Sequence, residues 1–384
     1  TKYKSKMNDM KDVVMARIAQ KLQKGMNNAI AATTRLREEG KISRDFLFDV
    51  GTERKGQQEL IKFHPHDGMV GGTFRLPQEG PTPFRINRHA VGQLSAKLGI
   101  PGQYLTSLLF GEEWQRSLGY TILNTHNGWL DRSKMLVRTV GPEVRAFLSD
   151  SYRRLDSEMI FGTHIDEVFQ NGGQLSDGYM DDTRIMVESM LPQPIEVSTE
   201  KNGIIYLAFG VRIDTSDYGV KALELRQFIM QGICLNGMVR QSVLRQIHLG
   251  ARLPENMALS QKTYELDSMT TASAIRDLTK DLYGASAIKE RMLEIKAATD
   301  QTIDPVKELT GLFRAGKLFK SEMESVGELL MRNDPMDGLQ GDATLWKLTQ
   351  GITRYANQED VSAIRRMELQ EIAGDLFNRI KTEE

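Results

Sequence analysis

Residues 204–213 alternate without a slip: Ile205, Leu207, Phe209, Val211 and Ile213 fall on one side, and Tyr206, Ala208, Gly210 and Arg212 on the other. That is the period of a half-buried strand. After the turn residues Asp214-Thr215-Ser216-Asp217, residues 220–230 return as a second strand in which Leu223 and Leu225 alternate with Glu224 and Arg226. The pattern predicts an antiparallel meander with one wet face. From about Asn256 the period changes to that of a helix, carried by Ile275, Leu278 and Leu282, then Ile288, Met292 and Ile295, then Leu369, Ile372, Leu376 and Ile380. A chain that switches period once is expected to segregate strands from helices.

The rest of the chain fits that division. Met7, Met10, Val14, Ile18, Leu22, Met26 and Ile30 mark one amphipathic helix with Lys2, Lys4, Lys6 and Lys11 at its start and Gly40 as its stop. Short alternating runs follow around Phe46, Ile61 and Phe74, then a Pro-rich turn (Pro77, Pro81, Pro83) and a helix capped by Asn87 and stopped by Gly99 and Pro101. A further helix is expected around Tyr104 to Leu109. Residues 135–139 and 144–149 flank Gly141-Pro142 as a hairpin, 156–169 reads as a helix and 183–191 as a strand. The predicted fold is α+β: a central antiparallel β-sheet with flanking helices and a helical C-terminal region. Its parts are an N-terminal amphipathic helix (1–43), an α+β core (44–255) and the helical region (256–384). Amphipathic helices at both ends, with apolar stripes for a partner to cover, predict a homo-oligomer.

Composition narrows the function classes. Fifty basic residues against 51 acidic give a net charge of −1, so only a local cluster can argue for nucleic acid. No apolar run is long enough to span a membrane and no secretory leader is visible, so no membrane contact and a cytoplasmic location, in a bacterial host cell, are expected. The single cysteine, Cys234, excludes a cysteine-built zinc cage within one chain. Phosphate-loop, dinucleotide, hydrolase-elbow and zincin motifs are all missing, and no cofactor is expected. His64-Pro65-His66-Asp67 is too small a ligand set for a metal, and Asp177, Asp181 and Asp182 read as a polar loop.

Two basic islands stand out. Between Glu224 and Glu255 no acidic residue occurs, while Arg226, Arg240, Arg245, His248 and Arg252 do. If residues 238–249 are helical, Arg245, His248 and Arg252 share a face suited to a phosphate backbone. The hairpin region supplies Arg138, Arg145, Arg153 and Arg154, with Tyr152 as a base-stacking platform.

Several segments in order also resemble a known family. They are His89-Ala90-Val91-Gly92-Gln93-Leu94 with Leu98-Gly99-Ile100-Pro101 and Tyr104-Leu105, Phe147-Leu148-Ser149-Asp150-Ser151-Tyr152-Arg153, and Ser216-Asp217-Tyr218-Gly219 with Ala222-Leu223. Cys234-Leu235-Asn236-Gly237-Met238, Thr344-Leu345-Trp346 and Ile352-Thr353-Arg354-Tyr355 complete the set. Together they resemble an uncharacterised phage and plasmid-like protein family, a domain of unknown function, over about residues 85–360; Gln350 stands where that family favours Asn. The resemblance implies a mobile-element setting among replication and recombination functions and brings no catalytic residues with it. The order of elements is loosely similar to the β-β-β-α core of phage single-strand annealing proteins. The expected function is non-enzymatic, sequence-tolerant binding or annealing of single-stranded nucleic acid in recombination or replication. The alternative is a structural or protein-interaction component of a mobile element that never touches nucleic acid.

Overall fold

The computed structural model describes residues 2–49, 61–76, 79–126, 134–149, 152, 155–232, 235–246, 260–334 and 338–379. The fold is α+β, as the two periods predict. Its strands form two six-stranded sheets rather than a single central one.

The first sheet belongs to the N-terminal half. Helix α1 (Lys2–Ile42) runs directly into β1 (Ser43–Asp49), followed by β2 (Ile61–Phe63), β3 (Gly71–Leu76) and β4 (Gly80–Ile86). The helices α2 (Arg88–Lys97), α3 (Gly102–Leu109) and α4 (Glu113–His126) come next, and the hairpin β5 (Lys134–Val140) and β6 (Glu143–Ser149) completes the sheet in the order β1-β5-β6-β4-β3-β2. Asn87 caps α2 as expected, its side chain accepting from the Ala90 N–H. Around Phe74 the rings of Phe48, Phe63, Phe84 and Phe147 gather with centroids 5.6–6.5 Å away, and α2 to α4 close over this core. Pro81 and Pro83 form part of β4, not of a turn. They are tolerated because β4 pairs with β6 only at Arg85 and Ile86, so the missing N–H groups fall on an edge that asks for none. The His64 to Asp67 segment is the β2–β3 turn, where Asp67 and Gly68 both adopt positive φ, as a tight two-residue hairpin needs.

The second sheet carries the meander. Helix α5 (Ser157–Gln170) precedes β7 (Gln174–Met180), β8 (Ile185–Met190), β9 (Ile195–Thr199), β10 (Gly203–Thr215), β11 (Leu223–Gln231) and β12 (Asn236–Gln246), ordered β12-β11-β10-β8-β7 with β9 beside β10. The expected helix over 238–249 is therefore wrong where it is described: Met238 to Gln246 pair with β11 as an edge strand. Local periodicity could not separate the two, because Met238, Val239, Val243 and Leu244 suit either.

Over β8, β10 and β11 neither face of this sheet is wet. Ile205, Leu207 and Phe209 pack under the C-terminal helices, and Val211 and Ile213 under α5 and α6 (Gln261–Tyr283). Those helices continue as α7 (Ala285–Asp300), α8 (Pro305–Arg314), α9 (Lys320–Arg332), α10 (Leu345–Ala356) and α11 (Ala363–Asp375), closed by a 3₁₀ turn at Leu376–Arg379. On the opposite face, Val14, Ile18 and Leu22 of α1 cover Tyr206, Ala208, Phe228 and Met230. Of the apolar stripe of α1 that predicted self-association, Val14, Ile18 and Leu22 are buried against their own chain, whereas Ile30 is exposed.

Two glycines set the depth of α1. A Cβ on Gly25 would lie 1.9 Å from the Ser176 carbonyl oxygen, and one on Gly178 would lie 2.3 Å from the Ala29 Cα, so backbone meets backbone where helix crosses β7. We expect Gly25→Val to lower stability in urea unfolding by about 3 kcal/mol, because a rigid core cannot yield to the added bulk. Gly162→Ala, on an exposed turn of α5 with open space around it, should stabilise by about 0.5–1 kcal/mol.

His164 supplies a pH test. It is fully buried, bonds the Thr279 hydroxyl at 2.9 Å, and burial pushes its pKa down from 6.5 to about 3. Between those pH values the unfolded chain takes up a proton that the folded chain refuses, so stability falls as pH falls, by up to about 1.4 kcal/mol per pH unit. Replacing His164 with Gln should flatten the acid limb of a stability profile measured from about pH 7 to about pH 4.

Candidate nucleic-acid interface

The described arginines of the two expected islands are not brought together, and all of them but Arg245 are spent inside the protein. Arg138, on β5, is 1% exposed; it donates from Nε and Nη2 to both carboxylate oxygens of Asp45 at 2.7 and 2.8 Å and from Nη1 to the Asp217 carbonyl. Arg145 is ringed by Glu143, Asp182 and Glu39. Tyr152 lays its ring 5.5 Å from the Arg138 guanidinium and donates its hydroxyl proton to the Ser216 carbonyl. Arg240, on β12, donates to the Gly374 carbonyl at 2.7 Å and pairs with Glu294 at 3.2 Å. Among the described residues of the islands, Arg245 alone is largely exposed, at 69%, with Glu224 at 3.5 Å. His248, Arg252, Arg153 and Arg154 lie outside the described residues, as does Cys234. With residues 236–246 extended, the shared helical face proposed for Arg245, His248 and Arg252 loses its basis.

Arg138 and Arg145 help build the junction between the two sheets. The β10–β11 turn projects from the second sheet into the first, where His89 and Gln93 of α2 both contact the Tyr218 carbonyl, at 3.0 and 2.7 Å. Gln93 also accepts from the Phe147 N–H, and Ser157 donates to both oxygens of the Asp217 carboxylate. Three of the segments that carry the family resemblance, those containing His89, Phe147 and Ser216, therefore meet at one place.

The acidic residues Asp177, Asp181 and Asp182 belong to β7 and its turn into β8, not to an open loop. Asp181 accepts from the Thr183 N–H and hydroxyl and from the Arg184 N–H; burial opposes its charge, but these bonds outweigh it and hold the carboxyl below its usual range. Asp182 faces Arg35 and Arg145.

Cations do converge elsewhere. A cleft of about 610 Å³ opens between α1 and the helices α10 and α11, with the second sheet as its floor. Lys21 and Lys24 stand on the α1 wall, Arg354 and Arg366 on the opposite wall, and Arg212 of β10 lies on the floor. Asp177 and Glu359 are the only carboxylates among the described residues that line it. Asp177 is already engaged, accepting from Asn28 Nδ2 and the Gly178 N–H, both at 2.9 Å. Tyr179 donates its hydroxyl proton to Asp181, and burial together with that acid pushes the phenol up to about 12. Arg212 and Glu188 form a pair buried to 1–2% exposure, at 2.6 Å, and Gln370 of α11 contacts the same guanidinium. Below them Lys221, Arg226, Asp214, Glu224 and Glu371 make a second network, in which burial opposes the Glu371 charge and Arg226 and Lys221 lower its pKa.

Neither a family model, nor a curated protein, nor a solved structure matches this chain.

The cleft residues escaped the sequence reading although parts of the signal were present. Arg212 occupies the alternate side of the cleanest strand in the chain, and Lys21 and Lys24 sit three apart on the polar side of α1. What no local pattern shows is that this side of α1 borders that side of β10.

The burial difference between the expected residues predicts opposite behaviour. Arg138→Ala leaves Asp45 without its bidentate partner and should cost about 2–3 kcal/mol in chemical unfolding. Arg245→Ala should change stability by less than about 0.5 kcal/mol.

Proposed function

We propose that the protein is a non-enzymatic, sequence-tolerant binder of single-stranded nucleic acid, and that the strand's phosphates enter the cleft between α1 and α10–α11. The observation that carries this reading is that, among the described residues, five cationic side chains line one cavity against two lining carboxylates and Glu188, which pairs with Arg212 and Lys21, in a chain whose net charge is −1. Clefts of about 300–1000 Å³ take ligands the size of a few linked groups, and a duplex exceeds that range. Phosphate contacts position a strand without reading its bases, which suits a sequence-tolerant role. The succession β10-β11-β12-α6, with the helix lying across the meander, adds support by fold-level likeness to single-strand annealing proteins. The resemblance of the ordered segments to a phage and plasmid family supplies the mobile-element setting, in which the chain would act as a homo-oligomer on DNA or RNA strands.

Fluorescence anisotropy with labelled oligothymidylate tests the reading. Affinity should fall linearly in log-log form with salt, with a slope of about −0.7 for each phosphate engaged on a single strand. Lys24→Glu with Arg366→Glu should remove most binding, whereas Arg245→Ala, outside the cleft, should leave it. Absence of binding at low salt would favour the protein-interaction role instead, and strand cleavage with Mg²⁺ would show an enzyme.

A further inference from the structure

Among the described residues, charge around Glu188 does not balance. Arg212 Nε and Nη2 both donate to Glu188 Oε2, at 3.1 and 2.6 Å, and Lys21 Nζ stands 3.8 Å from Oε1. Ser176 donates to the same Oε1 at 3.3 Å. One carboxylate therefore answers two cations. The neighbouring network differs: there Lys221, Arg226 and Arg245 meet Asp214, Glu224 and Glu371, three against three. Arg212 lines the floor of the cleft, and its Nη1 is buried with no hydrogen-bond partner among the described residues. A guanidinium that is 1% exposed and still has a donor unmatched calls for an acceptor, and a surplus positive charge in a low-dielectric site calls for that acceptor to be an anion. Buried unmatched nitrogens also occur on Arg85, Arg145, Arg184, Arg226 and Arg240, but Arg85 and Arg184 are only half-buried side chains, and Arg145, Arg226 and Arg240 meet carboxylates at 2.5, 2.8 and 3.2 Å that they do not share with a lysine at the cleft.

We infer that the floor of the cleft is a subsite for one phosphate group, held by the Arg212 guanidinium and Lys21, with Lys24 at the rim. The inference deepens the proposed function by seating a particular backbone phosphate of the strand there, and it rests on that reading only for the identity of the ligand. Glu188 has a defined part: it orients Arg212 and competes with the incoming anion for Lys21. Removing its charge should strengthen anion binding, an outcome that a purely structural ion pair would not give.

Isothermal titration calorimetry with inorganic phosphate at low ionic strength, run beside oligothymidylate anisotropy, tests this. The protein should bind one phosphate, and phosphate should compete with the oligonucleotide. Lys21→Gln and Arg212→Lys should each weaken phosphate binding about tenfold, the effect of losing one charge-assisted hydrogen bond, and Glu188→Gln should tighten it. Lys24→Gln, at an exposed position that folding does not depend on, should weaken it less. If the oligonucleotide binds but phosphate gives no heat, or if the Lys21 and Arg212 variants titrate like the parent, the subsite is wrong and the proposed function survives. If phosphate binds with the expected variant pattern and the oligonucleotide does not, the subsite stands and the nucleic-acid reading falls.

Discussion

Covering the charged face of the second sheet is the constraint on which the rest of the structure depends. Strands β8, β10 and β11 set Glu188, Arg212 and Arg226 side by side in register, with Asp214 opposite Glu224 one step along. Such a row cannot be left half-covered. In water its ion pairs would contribute little, and under an apolar lid an unmatched member would be costly. The chain resolves this with two helices from opposite ends of the sequence. Helix α1 buries the apolar part of the face and brings Lys21 toward Glu188, while α11 delivers Gln370 to Arg212 and Glu371 to Arg226 and Lys221. The glycine contacts at Gly25 and Gly178 belong to the same requirement, since α1 reaches the charged row only by lying directly on β7. Gly374 plays a like part for α11, its Cα facing the Val239 carbonyl of β12 with no room for a side chain. The cleft is the gap that remains between these two lids.

Arg138 performs the corresponding task between the sheets. Its guanidinium joins Asp45 of β1, the Asp217 carbonyl of the β10–β11 turn and the ring of Tyr152, so one buried charge ties three separate segments. The side chains of His89, Gln93, Tyr152 and Ser157 complete the enclosure around that turn, mostly through its backbone carbonyls. Side chains that recognise backbone in this way fix the position of a loop with little demand on its own residues beyond the Asp217 carboxylate and Gly219, which adopts positive φ against Leu148 and Gln93. The short segments that suggested a family are thus, in large part, the parts that lock the two sheets together, and Arg354, from another of them, borders the cleft.

What the sequence determined by itself is local. Alternation in residues 204–213, the Asn87 cap, the Gly141-Pro142 hairpin and the helical spacing beyond residue 260 each depend on neighbours within a few positions, and each appears where its pattern predicts. Tertiary structure decided what depends on residues far apart. It split the strands into two sheets, because the β5–β6 hairpin found β1 and β4 as partners, leaving the meander to pair among itself with β7 and β8. It admitted two prolines into β4 at an unpaired edge, and it drew residues 236–246 into a strand against β11 although their apolar spacing suits a helix equally. It turned the basic islands inward, since a run without acidic residues along the chain says nothing about carboxylates that arrive from α7 or β1. The cleft followed from the same cause: its cations come from α1, β10, α10 and α11, and only the burial of one sheet face between helices from both ends brings them together.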